Sequence, residues 1–471
     1  METVVFIRLR SYMNVISPPL GIGYLLNALK GMEGINPFFI DCQLENISKP
    51  DLLERLKSLD PAIVGFQLYS VNYFDFHKLI PQVRAVCPHA VLIAGGPHVS
   101  GLPEYTLTDN PDLDYVVRGE GEEAIQALVR HHLDGVLNSS LDQVPNLVFR
   151  QDSQIVCNPV QFVDVDHYGM PAWERLHPER YPTNQHGTFH KGRRVVPLLT
   201  SRGCPYPCSY CMGHLITGKK VRVRDLYQVI DEIEFLHTKY GFDEFTIEDE
   251  NFVFYKPRVL EFSREIRKRN IRCCFSFPNG IRADMVDEEV ICALKDMGGY
   301  IVGFGIESAS SKILQSIHKK WDLEEIQNKI QLAQKHNLLV CGFFILGFPD
   351  ETPEDMNRTI QFALRSGIDR AYFGNYIPLP GTEDFQRLVQ QGEISLSSID
   401  WRTYTTYFGR IPYHPPAVSE AELMKTLRSA TLRFYLRPII LFRFFKFCFR
   451  PRTFFQLLQR IYLMFLRPQE F

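Results

Sequence analysis

Two series of alternating strand-like and helical segments constrain the fold of this 471-residue chain more than any other feature. In the first series, the β-branched and apolar runs lie at residues 4–7, 37–40, 62–67, 90–94 and 115–117. Such alternation favours βαβ units and a parallel sheet, whose ligands bind at the carboxyl ends of the strands. We therefore predict a Rossmann-like α/β domain at residues 1–150.

The second series occupies residues 191–385 and follows a linker at 151–190 that is rich in Pro, His, Tyr and Asn. Its strand-like runs lie at residues 195–200, 244–247, 273–277, 300–305, 339–345 and 371–376. Six repeats are too few for the usual closed barrel of eight, so we predict a partial (βα)6 barrel. Residues 386–471 are predicted to be helical, and they become basic and aromatic towards the end.

The composition argues against two classes of protein. The eleven cysteines are odd in number and mostly scattered, which disfavours the disulfide framework of a secreted domain. No apolar signal stretch follows the N-terminus, and no uncharged apolar run reaches the roughly 18 residues of a membrane-spanning helix. The sequence therefore predicts a cytoplasmic protein.

Three cysteines cluster directly after the first strand-like run of the second series: Cys204, Cys208 and Cys211. Soft thiolates in such a group favour zinc or an iron–sulfur cluster. A structural zinc site would take His214 as its fourth ligand, but such sites usually pair two knuckles and no second knuckle follows. Three ligands on a four-iron cluster leave one iron open, which suits a catalytic site.

The spacing Cys-x3-Cys-x2-Cys, with Tyr210 before the last cysteine, resembles the radical S-adenosylmethionine superfamily. The resemblance implies that Cys204, Cys208 and Cys211 are the catalytic metal ligands of a [4Fe–4S] cluster, with Tyr210 beside the cofactor. The open iron would bind the amino and carboxylate groups of S-adenosylmethionine. One electron from a flavodoxin- or ferredoxin-type donor would then cleave it to a 5′-deoxyadenosyl radical, while the protein supplies orientation and excludes water.

Motifs after the later strands resemble the same family's contacts to S-adenosylmethionine. Glu250 corresponds to the amino-group contact, Arg282 offers a cation for the carboxylate, and Glu307 lies in a ribose-binding segment. Taken alone, either glutamate could be an ordinary strand-end carboxylate, and Arg282 could pair with Asp284 or Asp287 on the surface. Their order and spacing relative to the cysteines favour the cofactor roles.

Glycine-rich loops mark the first domain. Gly95-Gly96 and Gly119-x-Gly121 indicate backbone that approaches a bulky ligand closely, or else plain turns. With their neighbours they resemble the cobalamin-binding domains that are fused to radical S-adenosylmethionine enzymes. The resemblance implies cobalamin contacts at these residues: Ser70, Gly95, Gly96, Gly119, Glu120 and Gly121.

The first domain departs from cobalamin domains that carry Asp-x-His-x-x-Gly, in which the His coordinates cobalt from below. The corresponding stretch begins at Asp41, with Gln43 in place of the His and Asn46 in place of the Gly. We expect bound cobalt to lack a His ligand from this motif. His98 is a conceivable substitute, although a position near the nucleotide tail of the cofactor suits it better.

Residues 431–471 carry eight Lys or Arg, one acidic residue and ten of the chain's 35 Phe. Such a segment lies either on an anionic membrane surface or against the barrel with its cations pointing outward. Packing against the barrel is favoured, whereas membrane contact would suit a lipophilic substrate. Nucleic-acid binding is not expected, because the tail offers little beyond charge.

The combined resemblance covers residues 1–382 and implies a cobalamin-dependent radical S-adenosylmethionine enzyme. We expect a methyltransferase that acts on an unactivated carbon of a small or lipophilic metabolite. In such an enzyme the adenosyl radical removes a substrate hydrogen, and methylcobalamin supplies the methyl group. The nearest alternative is an oxidative cyclase or rearrangement enzyme, like the anaerobic tetrapyrrole cyclases, and a third is a non-catalytic sensor of metal and cobalamin.

Overall fold

The computed structural model describes residues 1–11, 16–133, 141–182, 190–405 and 411–442. Within these ranges the chain forms a seven-stranded sheet, a connecting segment, the six parallel strands of a partial barrel and further helices. This arrangement confirms the fold class that the sequence predicts.

The first unit is a mostly parallel sheet with helices on both faces. Its strands are β1 (Glu2–Arg8), β2 (Ile35–Asp41), β3 (Ile63–Gln67), β4 (Val91–Gly95), β5 (Tyr115–Val117), β6 (Leu147–Gln151) and β7 (Gln154–Cys157). Its helices are α1 (Leu20–Ala28), α2 (Cys42–Glu45), α3 (Lys49–Leu59), α4 (Tyr73–Val86), α5 (Pro97–Gly101), α6 (Pro103–Asp109) and α7 (Glu122–Leu133). The strand order is β2-β1-β3-β4-β5-β6-β7, and β1 is buried on both faces, as parallel strands between helical layers are.

The last two strands of this sheet differ from the prediction. β6 and β7 form an antiparallel hairpin that ends at Cys157, so the predicted domain boundary at residue 150 falls inside it. The turn residues Asp152 and Ser153 both have positive φ. Hairpin turns of this kind usually contain glycine, so the Asp-Ser pair gave no turn signal and the strands were not predicted.

The second unit is a partial barrel of six parallel strands plus one short antiparallel pair. Its strands are β8 (Val195–Leu198), β9 (Ser201–Arg202), β10 (Arg222–Val223), β11 (Glu244–Ile247), β12 (Cys274–Ser276), β13 (Ile301–Glu307), β14 (Leu339–Leu346) and β15 (Arg370–Asn375). The helices from the connecting segment onward are α8 (Trp173–Leu176), α9 (Gly213–Thr217), α10 (Leu226–Tyr240), α11 (Lys256–Lys268), α12 (Glu288–Asp296), α13 (Ser311–Ser316), α14 (Leu323–Lys335), α15 (Pro353–Arg365), α16 (Glu383–Gln390) and α17 (Glu420–Tyr435). Two three-stranded sheets, β12-β11-β8 and β13-β14-β15, are joined by isolated bridges.

The two units share their apolar interior. One hydrophobic core runs from Phe6 and Ile93 of the first sheet to Val196 and Phe245 of the barrel. The connecting segment reinforces this contact, since the Trp173 indole N–H donates to a Glu232 carboxylate oxygen at 2.7 Å. The two units therefore pack as one body rather than as separate modules.

The described part of the C-terminal region packs on the barrel. A capping box between Ser419 and Glu422 begins α17. The side chain of Leu423 fills the space beside Gly347, where an added Cβ would lie 2.6 Å from a leucine methyl carbon. The aromatic and basic residues 443–471 lie outside the described residues, so the choice between packing and membrane contact stays a prediction for them.

A buried ion-pair network joins the two units next to the cysteine loop. The Arg202 guanidinium lies 2.8 Å from the Glu122 carboxylate and 3.2 Å from the Glu120 carboxylate. It also lies 4.4 Å from the centroid of the Tyr24 ring. Arg222 reaches Glu120 as well, at 2.7 Å. The strand that leads into the cysteine loop is thereby fixed to the loop that follows β5 of the first sheet.

Replacing the central arginine should destabilise the protein strongly. Arg202→Met leaves Glu120 and Glu122 buried with less compensating charge, and breaking a buried ion pair in this way costs about 3–5 kcal/mol. Urea unfolding followed by tryptophan fluorescence measures the loss. The exposed Arg264→Met is the matched control, for which we expect a change within about 0.5 kcal/mol. Equal changes in the two variants would contradict the structural role of the network.

Candidate active site

The cysteine loop is held by backbone contacts at both ends. The Cys204 N–H donates to the Gly218 carbonyl at 3.0 Å, and the Cys211 N–H donates to the Cys208 carbonyl at 3.1 Å. Gly203 has φ of +101°, and an added Cβ there would lie 2.2 Å from the Lys220 carbonyl oxygen. Only glycine fits this position, because the chain reverses tightly just before the first cysteine.

The three thiols act on one another electrostatically. Desolvation raises the pKa of Cys204 and that of Cys211, and the charge of Cys208 raises both further. Desolvation also raises the pKa of Cys208, whereas the cations Lys319 and Arg282 lower it. The thiols therefore lie within reach of one another's charge, with positive side chains near Cys208.

The described part of the chain contains no preformed metal site. Among these residues, no three His, Cys, Asp or Glu side chains are placed to hold a single metal ion. This holds for Cys204, Cys208 and Cys211 with or without His214, so the side-chain placement favours neither the cluster nor the zinc alternative.

Arg282 lies against the cysteine loop and also forms a local ion pair. Its guanidinium carbon is 3.5 Å from the centroid of the Tyr206 ring, between the first two cysteines. Its Nη2 is 2.6 Å from the Asp284 carboxylate, so the simpler interpretation of a pair with Asp284 is observed as well. Asp287 instead pairs with Lys256. A contact of Arg282 with S-adenosylmethionine stays a prediction.

Glu307 is paired with a lysine that the sequence analysis did not identify. Lys319 Nζ donates to a Glu307 carboxylate oxygen and to the Gly305 carbonyl, each at 2.8 Å. Glu307 has φ of 63°, an unusual backbone conformation for a non-glycine residue. Burial raises the pKa of Tyr210 well above its usual value, and the charge of Glu307 raises it further. Glu307, Lys319 and Tyr210 thus form one buried polar group beside Cys208.

Glu250 presents an unpaired acceptor at the same place. One of its carboxylate oxygens accepts a hydrogen bond from the Thr217 hydroxyl, and the other is buried with no hydrogen-bond partner among the described residues. An added Cβ on Gly213 would lie 3.8 Å from Glu250 Cγ and 3.5 Å from Cys211 Sγ, so the carboxylate lies beside the last cysteine. Burial raises the pKa of Glu250. A buried acceptor of this kind suits a charged amino group.

A cavity of about 300 Å³ lies between the first sheet and the cysteine loop. The carboxyl ends of β1, β3, β4 and β5 form one side of it. The barrel contributes the other side through four residues: Leu199, Arg202, Ile216 and Thr217. The cavity thus lies at the strand ends where parallel sheets bind ligands, and it reaches the barrel beside the cysteines.

The cavity lining fits a large cofactor with polar edges. Gly96 has φ of +109°, and an added Cβ would lie 2.8 Å from the Leu68 carbonyl oxygen. The predicted contacts Gly95, Gly119 and Gly121 also line the cavity. Two buried polar atoms of the lining, Gln67 Oε1 and the Tyr24 hydroxyl, have no hydrogen-bond partner within the part of the chain that the structure describes. Glycine backbone and unpaired polar atoms together suit an amide-rich ligand such as cobalamin.

Glu120 lines the cavity, and its side chain is bound by other groups of the protein. Both carboxylate oxygens bind Arg222, and one of them also accepts the Val163 N–H at 2.9 Å. The carboxylate is thus part of the network that joins the two units, and a cobalamin contact of Glu120 stays a prediction.

Ser70 and His98 lie outside the lining of this cavity. The Ser70 hydroxyl is 3.0 Å from His98 Nδ1. The His98 ring packs against Tyr73 and Trp401, with ring centroids 4.4 and 4.7 Å apart. Burial lowers the pKa of His98 to about 3, so the ring is neutral. A cofactor contact of Ser70 stays a prediction.

The residues that stand in place of the cobalt-binding motif form contacts within the protein. Gln43 Oε1 accepts the Ser11 N–H at 2.5 Å. Asn46 ends α2 in the left-handed conformation, which asparagine tolerates better than most residues. Asn46 therefore adopts a backbone conformation that glycine also takes readily.

Comparisons with known proteins agree with this geometry. Residues 11–129 match the B12 binding domain, and residues 198–363 match the Radical SAM superfamily. An uncharacterized methyltransferase of Pyrococcus horikoshii is 31% identical over 437 residues, which are 92% of this chain and 91% of the relative. The chain belongs to the cobalamin-binding radical S-adenosylmethionine family. Its cofactors are a [4Fe–4S] cluster, S-adenosylmethionine and cobalamin.

Two further comparisons show similarity to a cyclase and to a solved methyltransferase structure. An anaerobic magnesium-protoporphyrin IX monomethyl ester cyclase of Cereibacter sphaeroides is 28% identical over 90% of this chain and 68% of its own length. The solved structure of the methyltransferase TsrM from Kitasatospora setae, with cobalamin and a [4Fe–4S] cluster bound, has a TM-score of 0.73. It is 17% identical and covers 93% of this chain and 92% of its own, which shows a shared fold.

Replacing one of the three cysteines should remove the cluster. Cys204→Ala leaves two thiolates, and we expect most of the iron and sulfide to be lost after anaerobic reconstitution, together with the cluster's visible absorbance. Cys292→Ala, a half-buried cysteine on α12, is the control and should retain wild-type iron. Wild-type iron content in Cys204→Ala would show that this residue is not a ligand.

Proposed function

We propose that this enzyme transfers a methyl group from S-adenosylmethionine to an unactivated carbon of a small or lipophilic metabolite. One observation carries the proposal: the cavity at the cobalamin-binding loops is closed on its other side by residues of the cysteine-loop region, including Ile216 and Thr217. A cofactor held in this cavity and one held at the neighbouring cysteines can act on one substrate placed between them.

When bound, the cluster supplies the electron that cleaves S-adenosylmethionine, and cobalamin supplies a carrier for the methyl group. The chain's own residues bind and orient these groups. The unpaired oxygen of Glu250 accepts a hydrogen bond from the amino group of S-adenosylmethionine, and Arg282 and Lys319 provide positive charge for its carboxylate. The mostly apolar lining, such as Phe6 and Ile125, excludes water from the reactive centre.

The cyclase alternative is less well supported by the comparisons. The methyltransferase relative matches this chain over nearly its whole length, whereas the chain spans 68% of the cyclase of Cereibacter sphaeroides. About a third of that cyclase therefore has no counterpart here. The proposal includes the class of metabolite that is methylated. It also includes an external one-electron donor of the flavodoxin or ferredoxin type.

Isotope labelling separates the two reactions. Anaerobic incubation with S-adenosylmethionine that carries a CD3 group, a reductant and candidate metabolites should give a product heavier by one CD3 group in place of hydrogen, with 5′-deoxyadenosine as co-product. Mass spectrometry measures both. The Cys204→Ala variant is the control and should form neither. A product without label would contradict methyl transfer and favour the cyclase alternative.

Peripheral membrane contact through the C-terminal region is a further part of the proposal. Among the described helices, none combines the length and apolarity that crossing a bilayer requires. Directly after α17, however, a group of apolar side chains is between 54% and 69% exposed: Leu436, Ile439 and Phe442. Most of the Lys and Arg residues of the basic segment 431–471 follow Phe442 in the sequence. Exposed apolar groups next to cations suit the surface of an anionic bilayer.

Vesicle sedimentation tests this contact. The full chain should sediment with phosphatidylglycerol-containing vesicles but not with pure phosphatidylcholine vesicles, and added salt should weaken the binding. Leu436→Glu/Ile439→Glu should lose most of it, because the apolar contact is removed. Tyr227→Glu, which changes an exposed residue on α10, is the control. Failure of the wild-type chain to bind anionic vesicles would contradict membrane contact.

A further inference from the structure

The turn between α9 and β10 is in backbone contact with the cysteine loop. Cys204 donates its N–H to Gly218, the first residue of this turn, at 3.0 Å. The carbonyl oxygen of Lys220 lies so close to Gly203 that a Cβ there would be 2.2 Å away. The turn formed by residues 218–220 is therefore separated from the first cluster ligand by a single hydrogen bond.

Two of the four cations that follow Gly218 are unpaired. Arg222 and Arg224 form buried ion pairs with Glu120 and Glu232, each at 2.7 Å. Lys219 and Lys220 are exposed, and within the described part of the chain neither forms an ion pair. The sequence from residue 212 to 224 contains no acidic residue. The two adjacent lysines of this turn thus have no acidic residue close to them in the sequence that could neutralise their charge.

An exposed aromatic ring lies next to the lysines. Phe162 is 37% exposed, and its ring lies against Gly218, where an added Cβ would be 2.8 Å from a ring carbon. The Arg222 guanidinium lies 5.2 Å from the centroid of the same ring. Cations around an accessible apolar group are typical of small, transient protein–protein interfaces.

We propose that Lys219 and Lys220 form the docking surface for an acidic protein that carries one electron, of the flavodoxin or ferredoxin class. The inference rests on the proposed function, which requires an external electron. The carrier is oxidised by one electron and the cluster is reduced by one. The hydrogen bond from Cys204 to Gly218 gives the shortest described connection between the turn and the cluster ligands. The lysines attract the carrier and do not bind the cluster.

The rate of cluster reduction tests this surface. Anaerobic stopped-flow absorbance follows bleaching of the reconstituted cluster after mixing with a reduced flavodoxin, and separately with titanium(III) citrate. Lys219→Glu/Lys220→Glu should slow reduction by the flavodoxin about tenfold or more at low salt, since charge steering changes association rates by about 10–1,000-fold. Reduction by titanium(III) citrate should stay within about twofold. Added salt should narrow the difference between variant and wild type.

Two further variants separate the effect of the local charge at residues 219 and 220 from the effect of net charge. Lys30→Glu/Lys57→Glu makes the same change of net charge at exposed positions of the first unit, and it should leave both rates unchanged. Lys219→Gln/Lys220→Gln should give a smaller loss with flavodoxin than the charge reversal. Equal flavodoxin rates in all proteins, or an equal loss with both reductants, would overturn the docking surface. A wild-type cluster that neither reductant bleaches would instead contradict the proposed function.

Discussion

The structure depends on a buried arginine that holds two loops together. Arg202 is the last residue of β9, and it meets Glu120 and Glu122 from the loop after β5 of the other unit. Removing such charges from water is costly, and buried ion pairs are often no more stabilising than apolar contacts of the same volume. What they provide is a defined geometry, because each charge requires its partner. Here that geometry fixes the glycine loop of one unit against the cysteine loop of the other.

This constraint places the cavity of the first unit next to the cysteine loop. Parallel sheets bind ligands at the carboxyl ends of their strands, and both units present that edge to the same space. In the first unit, glycine lets the loops at this edge pack closely, as at Gly96, where any side chain would meet the Leu68 carbonyl. On the barrel side, Glu250 and the Glu307–Lys319 pair place polar groups beside the cysteines. The ion-pair network around Arg202 thus holds the elements that form the site in fixed positions relative to one another.

Much of the fold was predictable because it depends on local pattern. The strands 115–117 and 244–247 were predicted with the bounds that the structure shows, since aromatic and β-branched residues, which favour strands, make up most of both. The cysteine motif was equally visible in the sequence. The β6–β7 hairpin was not, because its Asp-Ser turn lacks the usual glycine.

The unpredicted site residues take their roles from contacts across the fold. Nothing in the sequence around Lys319 indicates that it faces Glu307, and only the fold of the chain through α13 brings the lysine back to the end of β13. Arg202 precedes the cysteines directly, yet its partners lie in the other unit. The carboxylate of Glu120, a residue of the cobalamin-like motif, pairs with both Arg202 and Arg222. Such pairings require the tertiary structure.

The most direct test of this account is the magnetic interaction between the two cofactors. Electron paramagnetic resonance of the reconstituted wild-type chain, with a reduced cluster and cobalamin as Co(II), reports whether the two spins are close. The account predicts a cobalt signal that is broadened and relaxes faster than in protein whose cluster is oxidised and diamagnetic. A cobalt signal that is unchanged by the spin state of the cluster would contradict the claim that both cofactors face one cavity.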